Sequence, residues 1–113
     1  MENRQLKNDF LDKIIFIGLK NMNDGFDAES IKYFTASDFR VVLERVEKFE
    51  MGVYGLEPWK NGNMFDVYSY DDYSKQPTDP EWYNSALNDF IATGEELLYA
   101  ASYYIPSIDE LIE

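Results

Sequence analysis

The spacing of apolar residues changes period in the middle of this chain, and that change constrains the fold more than any other feature. Phe39, Val42, Leu43, Val46 and Phe49 recur at three- and four-residue steps, the stripe of an amphipathic helix. Between residues 52 and 70 the pattern turns to alternation around Asn61-Gly62, a pair suited to a two-residue hairpin turn because both residues tolerate positive φ. A helix and a hairpin this close in sequence bury their apolar faces against each other, which is the beginning of a two-layer α+β domain.

The remaining segments extend that plan. Residues 3 to about 20 place Leu6, Phe10, Leu11, Ile14, Ile15 and Ile17 at helical spacings, although the run from Ile14 to Ile17 is also strand-prone. Residues 21–30 read as a polar loop. Thr35 is the expected N-cap of the second helix, with Asp38 in the position of a capping-box acid and Gly52 as its C-terminal stop. Strands are expected over 52–58 and 64–70. Asp79 and Pro80 announce a third helix, with Tyr83, Ala86, Leu87, Phe90 and Ile91 on its buried side and Gly94 ending it. Residues 96–105 fit a strand or a short helix, and a strand is favoured because it would support an otherwise marginal hairpin. Ser107 is placed to cap a last turn through Leu111. The order is α-α-β-β-α-β: one α+β domain over residues 1–113, a small antiparallel sheet of about three strands with helices packed on one face.

Charge narrows the function. The 113 residues carry a net charge of −12, with no cysteine and no histidine. The first fifty residues are nearly balanced at −2, whereas residues 51–113 hold twelve acids against Lys60 and Lys75. Eight of the nine tyrosines and both tryptophans lie in that acidic half. A nucleic-acid or anionic-membrane binder needs the opposite sign, since lysine and arginine supply its contacts to phosphate. The uncharged run from Ile14 to Leu19 is too short to span a bilayer, and the first ten residues lack the pattern of a secretory signal. A cysteine-free chain of this kind fits the reducing cytoplasm. The missing histidine and cysteine remove the commonest general base and the softer metal ligands together. No cofactor and no metal are expected.

The hairpin raises a specific question, because its first arm carries Glu57-Pro58-Trp59 and its second carries Asp66. In the register that an Asn61-Gly62 turn imposes, Glu57 opposes Asp66, and Pro58 opposes Phe65 at a pair that would feel the missing N–H. The ladder is therefore expected to loosen between Pro58 and Phe65. Tyr54, Leu56, Pro58, Phe65 and Val67 then share a core face, while Val53, Glu57, Trp59, Met64, Asp66, Tyr68 and Tyr70 share the other. Like charges facing each other destabilise a hairpin, so their retention suggests a binding role on an exposed acidic, aromatic face. The alternative is that the C-terminal segment or the first helix covers that face and its tyrosines are core.

Catalytic readings are weaker. Glu57 and Asp66 resemble the paired carboxylates of a glycosidase, but a small single-sheet domain offers no evident deep cleft. Asp66, Asp71 and Asp72 are oxygen donors without the spacing of a calcium loop. No motif joins Lys60 or Lys75 to a serine or threonine nucleophile, and the six glycines are scattered rather than gathered in a phosphate-binding loop. The chain is expected not to be an enzyme.

Glu57, Trp59, Asp66, Tyr68, Tyr70, Asp71, Asp72 and Tyr73 form the candidate partner-binding set. A short acidic α+β chain with tyrosines and carboxylates gathered in one half resembles the immunity proteins of bacterial toxin systems. The resemblance implies a basic protein partner, such as a nuclease toxin, whose active site the chain would occlude. Two other readings share the composition. One is a homo-oligomerising domain that pairs through its aromatic sheet face, and the other a nucleic-acid mimic that blocks a DNA-binding protein. Monomer and homodimer both remain open at this point.

Overall fold

The computed structural model describes residues 3–109. Among the described residues, four α-helices and four antiparallel strands build the expected α+β fold: α1 (Asn3–Phe10), α2 (Ala36–Lys48), β1 (Gly52–Lys60), β2 (Asn63–Met64), β3 (Tyr68–Ser69), α3 (Pro80–Ile91), β4 (Leu98–Tyr104) and α4 (Pro106–Asp109). The long β1 is the sheet's axis. The short β2 and β3 follow one another along one of its edges, and β4 lies along the other. Residues 96–105 thus supply a strand, as favoured, and the sheet has one strand more than expected because the second hairpin arm is broken in two. The final turn begins at Pro106, one residue before the anticipated cap, and Leu111 lies outside the described residues.

One face of the sheet carries α2 and α3. Phe39, Val42, Leu43 and Val46 of α2 and Trp82, Tyr83, Ala86, Leu87 and Phe90 of α3 are buried against Val53, Leu56, Tyr99 and Tyr103 of the strands. Trp82 lies outside the buried stripe expected for α3 and Ile91 within it. The helix instead buries Trp82 and leaves Ile91 exposed at its end. Both anticipated caps are present, with the Thr35 hydroxyl accepting from the Asp38 N–H at 3.4 Å and the Asp79 carboxylate accepting from the Glu81 N–H at 2.9 Å.

Two expected boundaries move for identifiable reasons. The first helix does not run to residue 20 and no strand forms at 14–17. After Phe10 it widens into a π-turn over Leu11–Ile15, where the Phe16 N–H reaches back to the Leu11 carbonyl at 2.7 Å. Arg45 of α2 then takes the carbonyls of Ile15 and Ile17, each at 2.8 Å, which satisfies the chain end and pins it to α2. Gly52 does not cap α2. The left-handed residue after that helix is Glu50, at φ 56°, and Gly52 opens β1 where its Cα passes beneath Pro77.

The hairpin turn is as anticipated, with Asn61 and Gly62 both at positive φ and Lys60 paired with Asn63. Beyond it two one-residue irregularities reassign the faces. Trp59 pairs with Met64, but Leu56 pairs with Tyr68, so one additional residue has entered the second arm. On the other edge Val53 pairs with Tyr103 and Gly55 with Ser102, leaving Tyr54 as a bulge. Each slip exchanges inward for outward. Leu56 and Pro58 are buried as expected, Val53 joins them, and Tyr54, Phe65 and Val67 are exposed rather than core.

Candidate partner-binding surface

The outer sheet face is covered at one end, and by a segment that looked like mere loop. Asn23 organises residues 21–31: its side-chain amide donates to the carbonyls of Ala28 and Ile31 at 3.0 and 2.8 Å, and its oxygen accepts from the Gly25 N–H at 3.1 Å. This holds Phe26 and Tyr33 over Trp59, with ring centroids 5.7 and 5.4 Å from the indole. Glu57 lies half-buried on the same face, and Asp27 lies close enough to act on its charge. Burial raises the Glu57 pKa above the ordinary glutamate value, and the negative charge of Asp27 raises it further. The Tyr33 hydroxyl donates to Asp27 at 2.5 Å. Desolvation of that phenol, followed by its bond to Asp27, pushes its pKa well above the usual tyrosine range.

Glu57 and Asp66 therefore do not oppose each other. Across β4 Glu57 faces Ala100, and on the other side the ladder is interrupted where Asp66 would have stood. Asp66 is exposed and accepts from the Val67 N–H at 2.8 Å. The slip that separates the two carboxylates also turns Tyr68 inward, where its ring stacks on Phe90 at 4.7 Å. Tyr73 follows it, contacting Tyr68 and Trp82 at 5.9 and 5.8 Å. Tyr70 also packs against the core and meets the bulged Tyr54, which in turn meets Tyr104.

A different grouping emerges from residue 64 to residue 73. Met64, Phe65 and Val67 are exposed, with Phe65 at 40% and Val67 at 49% of full accessibility. Asp66 sits between the last two. A 3-10 turn over Tyr70–Tyr73 follows, presenting Asp71 and Asp72 outward. Asp72 also closes that turn, accepting from the Ser69 N–H at 2.8 Å. The Tyr73 hydroxyl donates to Asp89 of α3 at 2.8 Å, which ties α3 to the turn. Burial first, and then Asp89, raise the Tyr73 pKa, so the phenol stays protonated as a donor.

None of Asp66, Asp71, Asp72 and Asp89 forms an ion pair with a described residue. The two lysines of this half are engaged elsewhere, Lys60 with Glu95 and Lys75 with Glu81. The result is an edge segment with three exposed apolar side chains among three carboxylates, with Asp89 of α3 beside it, none of the four paired with a described cation. Of the eight sequence candidates, Asp66, Asp71 and Asp72 belong to this segment. Tyr68 and Tyr73 support it from beneath, Tyr70 borders it, and Glu57 and Trp59 lie apart under the 21–34 segment. Asp89, Met64, Phe65 and Val67 were missed. Alternation puts Phe65 and Val67 on the core face and Met64 on the other, and no local signal connects Asp89 to a tyrosine sixteen residues before it.

Among the described residues no group of three or more acidic side chains is arranged to hold a metal ion, and no helix is long and apolar enough to cross a membrane. Compared with known proteins, the chain matches no family model, no curated protein and no solved structure.

Proposed function

We propose that the chain is a non-catalytic binding protein that covers a basic surface of a protein partner, most specifically as an immunity protein occluding the active site of a cognate toxin such as a nuclease. The supporting observation is the segment from Met64 to Asp72, where exposed apolar residues stand among carboxylates that pair with no cation of the described residues. Apolar side chains desolvated at the centre of an interface supply affinity, and charges around them supply steering and discrimination. An active site that holds phosphate is rich in lysine and arginine, and carboxylates offer those groups an alternative partner. With a net charge of −12, the whole molecule adds long-range attraction toward such a surface.

Capture from a lysate of the source cell on immobilised protein, across a salt series, tests the reading when coupled to variants. Phe65→Ser and the pair Asp71→Asn with Asp72→Asn should lose one basic protein that the parent retains, and Glu57→Gln should keep it. Coexpression of that protein should arrest growth unless the parent chain accompanies it. Retention by every variant alike, or an isolated protein that dimerises through this segment and captures nothing, overturns the proposal.

A further inference from the structure

A second surface, on the opposite margin of the sheet, has the opposite charge. Phe34 and Tyr99 exchange both backbone hydrogen bonds, at 2.9 and 2.8 Å, outside β4. In an antiparallel ladder every second residue turns its N–H and C=O to the same side, so Ala101 and Tyr103 also address this outer edge. Had the pairing continued, Lys32 would face Ala101. It stops after Phe34. The Tyr33 N–H turns to the Asn21 side chain at 3.0 Å, its carbonyl accepts from the Met22 N–H at 2.7 Å, and the Ile31 N–H bonds Ala28 at 3.0 Å. The carbonyl of Tyr103 is taken by the Lys7 ammonium at 2.7 Å. Ala101 is left between them with an outward N–H and C=O and no described partner.

The divergence opens a cleft of about 420 Å³ between Ser30–Lys32 and Ala101–Tyr103, with α1 forming a further wall. That volume lies in the range of ligand sites. Leu11, Phe16 and Ile31 give it apolar lining, and its charged groups are Arg4, Lys7 and Lys32 against Asp12. Lys7 is held by Asp109 at 3.2 Å, whereas Arg4 makes no ion pair with a described residue and Lys32 has only the Glu29 carbonyl at 3.4 Å. Asp9 and Glu29 stand on an adjoining groove rather than in the cleft.

We propose that this cleft binds a short extended peptide segment bearing carboxylates, which adds to the edge of β4 at Ala101 and sets its acidic side chains on Arg4 and Lys32. A peptide is favoured over another anion because the vacancy is a paired backbone donor and acceptor. The chain's own Phe34 already occupies the neighbouring position of that edge in the same way. Strand addition of this kind draws affinity from main-chain bonds and selectivity from the side-chain pockets beside them. The inference is independent of the acidic segment at 64–72, which lies along the other edge of β1.

The experiment is a fluorescence-anisotropy titration with labelled Asp-Val-Asp-Val-Asp, alongside Lys-Val-Lys-Val-Lys, two alternately N-methylated forms of the acidic peptide, and dodecanoate as a competitor without a backbone. Saturable binding of the acidic peptide is expected, with at least a tenfold loss for one N-methylated form and for the Arg4→Ser, Lys32→Ser protein. Amide exchange at Ala101, followed by NMR, should slow on addition of the acidic peptide. The inference is overturned if the acidic peptide shows no saturable binding, if both N-methylated forms bind like the parent, if the double variant binds unchanged, or if Ala101 gains no protection. Dodecanoate binding without peptide binding overturns it in favour of a site for small anionic amphiphiles.

Discussion

The Phe65 N–H donates to the Pro58 carbonyl at 2.9 Å, and Pro58 has no N–H to return. A pair that would normally be closed by two bonds is closed by one, and the ladder parts immediately beyond it. The chain gains a residue before Tyr68 re-enters the sheet opposite Leu56. That single residue turns Val67 outward and Tyr68 inward and separates Glu57 from Asp66, while Phe65, still facing Pro58, is exposed where the ladder parts. The outward Val67 and the inward Tyr68 beneath it thus both lie beyond the point where Pro58 has no donor to give.

The exchange of faces is measurable. Tyr68→Ala removes a ring stacked on Phe90 and should cost about 2–3 kcal/mol in urea unfolding. Phe65→Ser, which alternation alone would rank as the more damaging change, should stay within about 0.5 kcal/mol of the parent because that ring is exposed. The reverse ranking would place the second arm in the uninterrupted register.

A second pair of substitutions separates two residues at the α2–β1 junction. A Cβ on Gly52 would stand 2.9 Å from the Pro77 carbonyl carbon and oxygen, and Val53 is tied to that same carbonyl by a 2.9 Å bond. Gly52→Ala should therefore destabilise by about 1–3 kcal/mol, since backbone on both sides must shift. Glu50, at φ 56°, is where glycine belongs, and Glu50→Gly should be neutral or stabilising by up to about 1 kcal/mol. Thermal unfolding of the two variants tests both signs.

What the sequence made legible follows the range over which its signals act. Thr35, Asp79-Pro80 and Asn61-Gly62 act through bonds within three residues, and each marks the element it announced. The fold class follows from them and from the change in apolar period. The faces of the hairpin were not legible past Pro58, because a bulge or slip leaves composition untouched while reversing every later side chain. Nor was the cover over Trp59, since Phe26 and Tyr33 reach it only after Asn21 and Asn23 have folded an apparently polar stretch. Asp66, Asp71 and Asp72 are exposed under either register, whereas the expected pairing of Glu57 with Asp66 depended on the register that failed and the exposure of Glu57 on a face without cover.

Asp79 offers a local test of helix capping with little tertiary context. Its carboxylate accepts the Glu81 N–H at 2.9 Å, and Asp79→Ala should lower stability by about 1 kcal/mol. Asp79→Ser should recover most of it, because a hydroxyl can accept the same bond. Equal losses for both variants would mean that the negative charge at the helix start, rather than the bond, is what α3 uses.

Glu57 makes stability depend on pH in the direction opposite to a paired carboxylate. Burial and the charge of Asp27 raise its pKa in the folded chain, and no described residue offers it a cation or a hydrogen bond. Between the unfolded value, about 4.3, and the raised folded value, the folded state holds the proton more tightly. Stability from this group is therefore fully present below the unfolded pKa and is lost as pH rises through the folded one. Glu57→Gln keeps the shape and removes the charge. It should be more stable than the parent at pH 7, and the difference should shrink steadily as pH falls toward 4. Urea midpoints of the two proteins at half-unit steps from pH 4 to 8 measure that difference directly. A constant gap would mean that Glu57 stays ionised at no cost beneath the 21–34 segment, and that this cover is looser than the packing of Phe26 and Tyr33 on Trp59 implies.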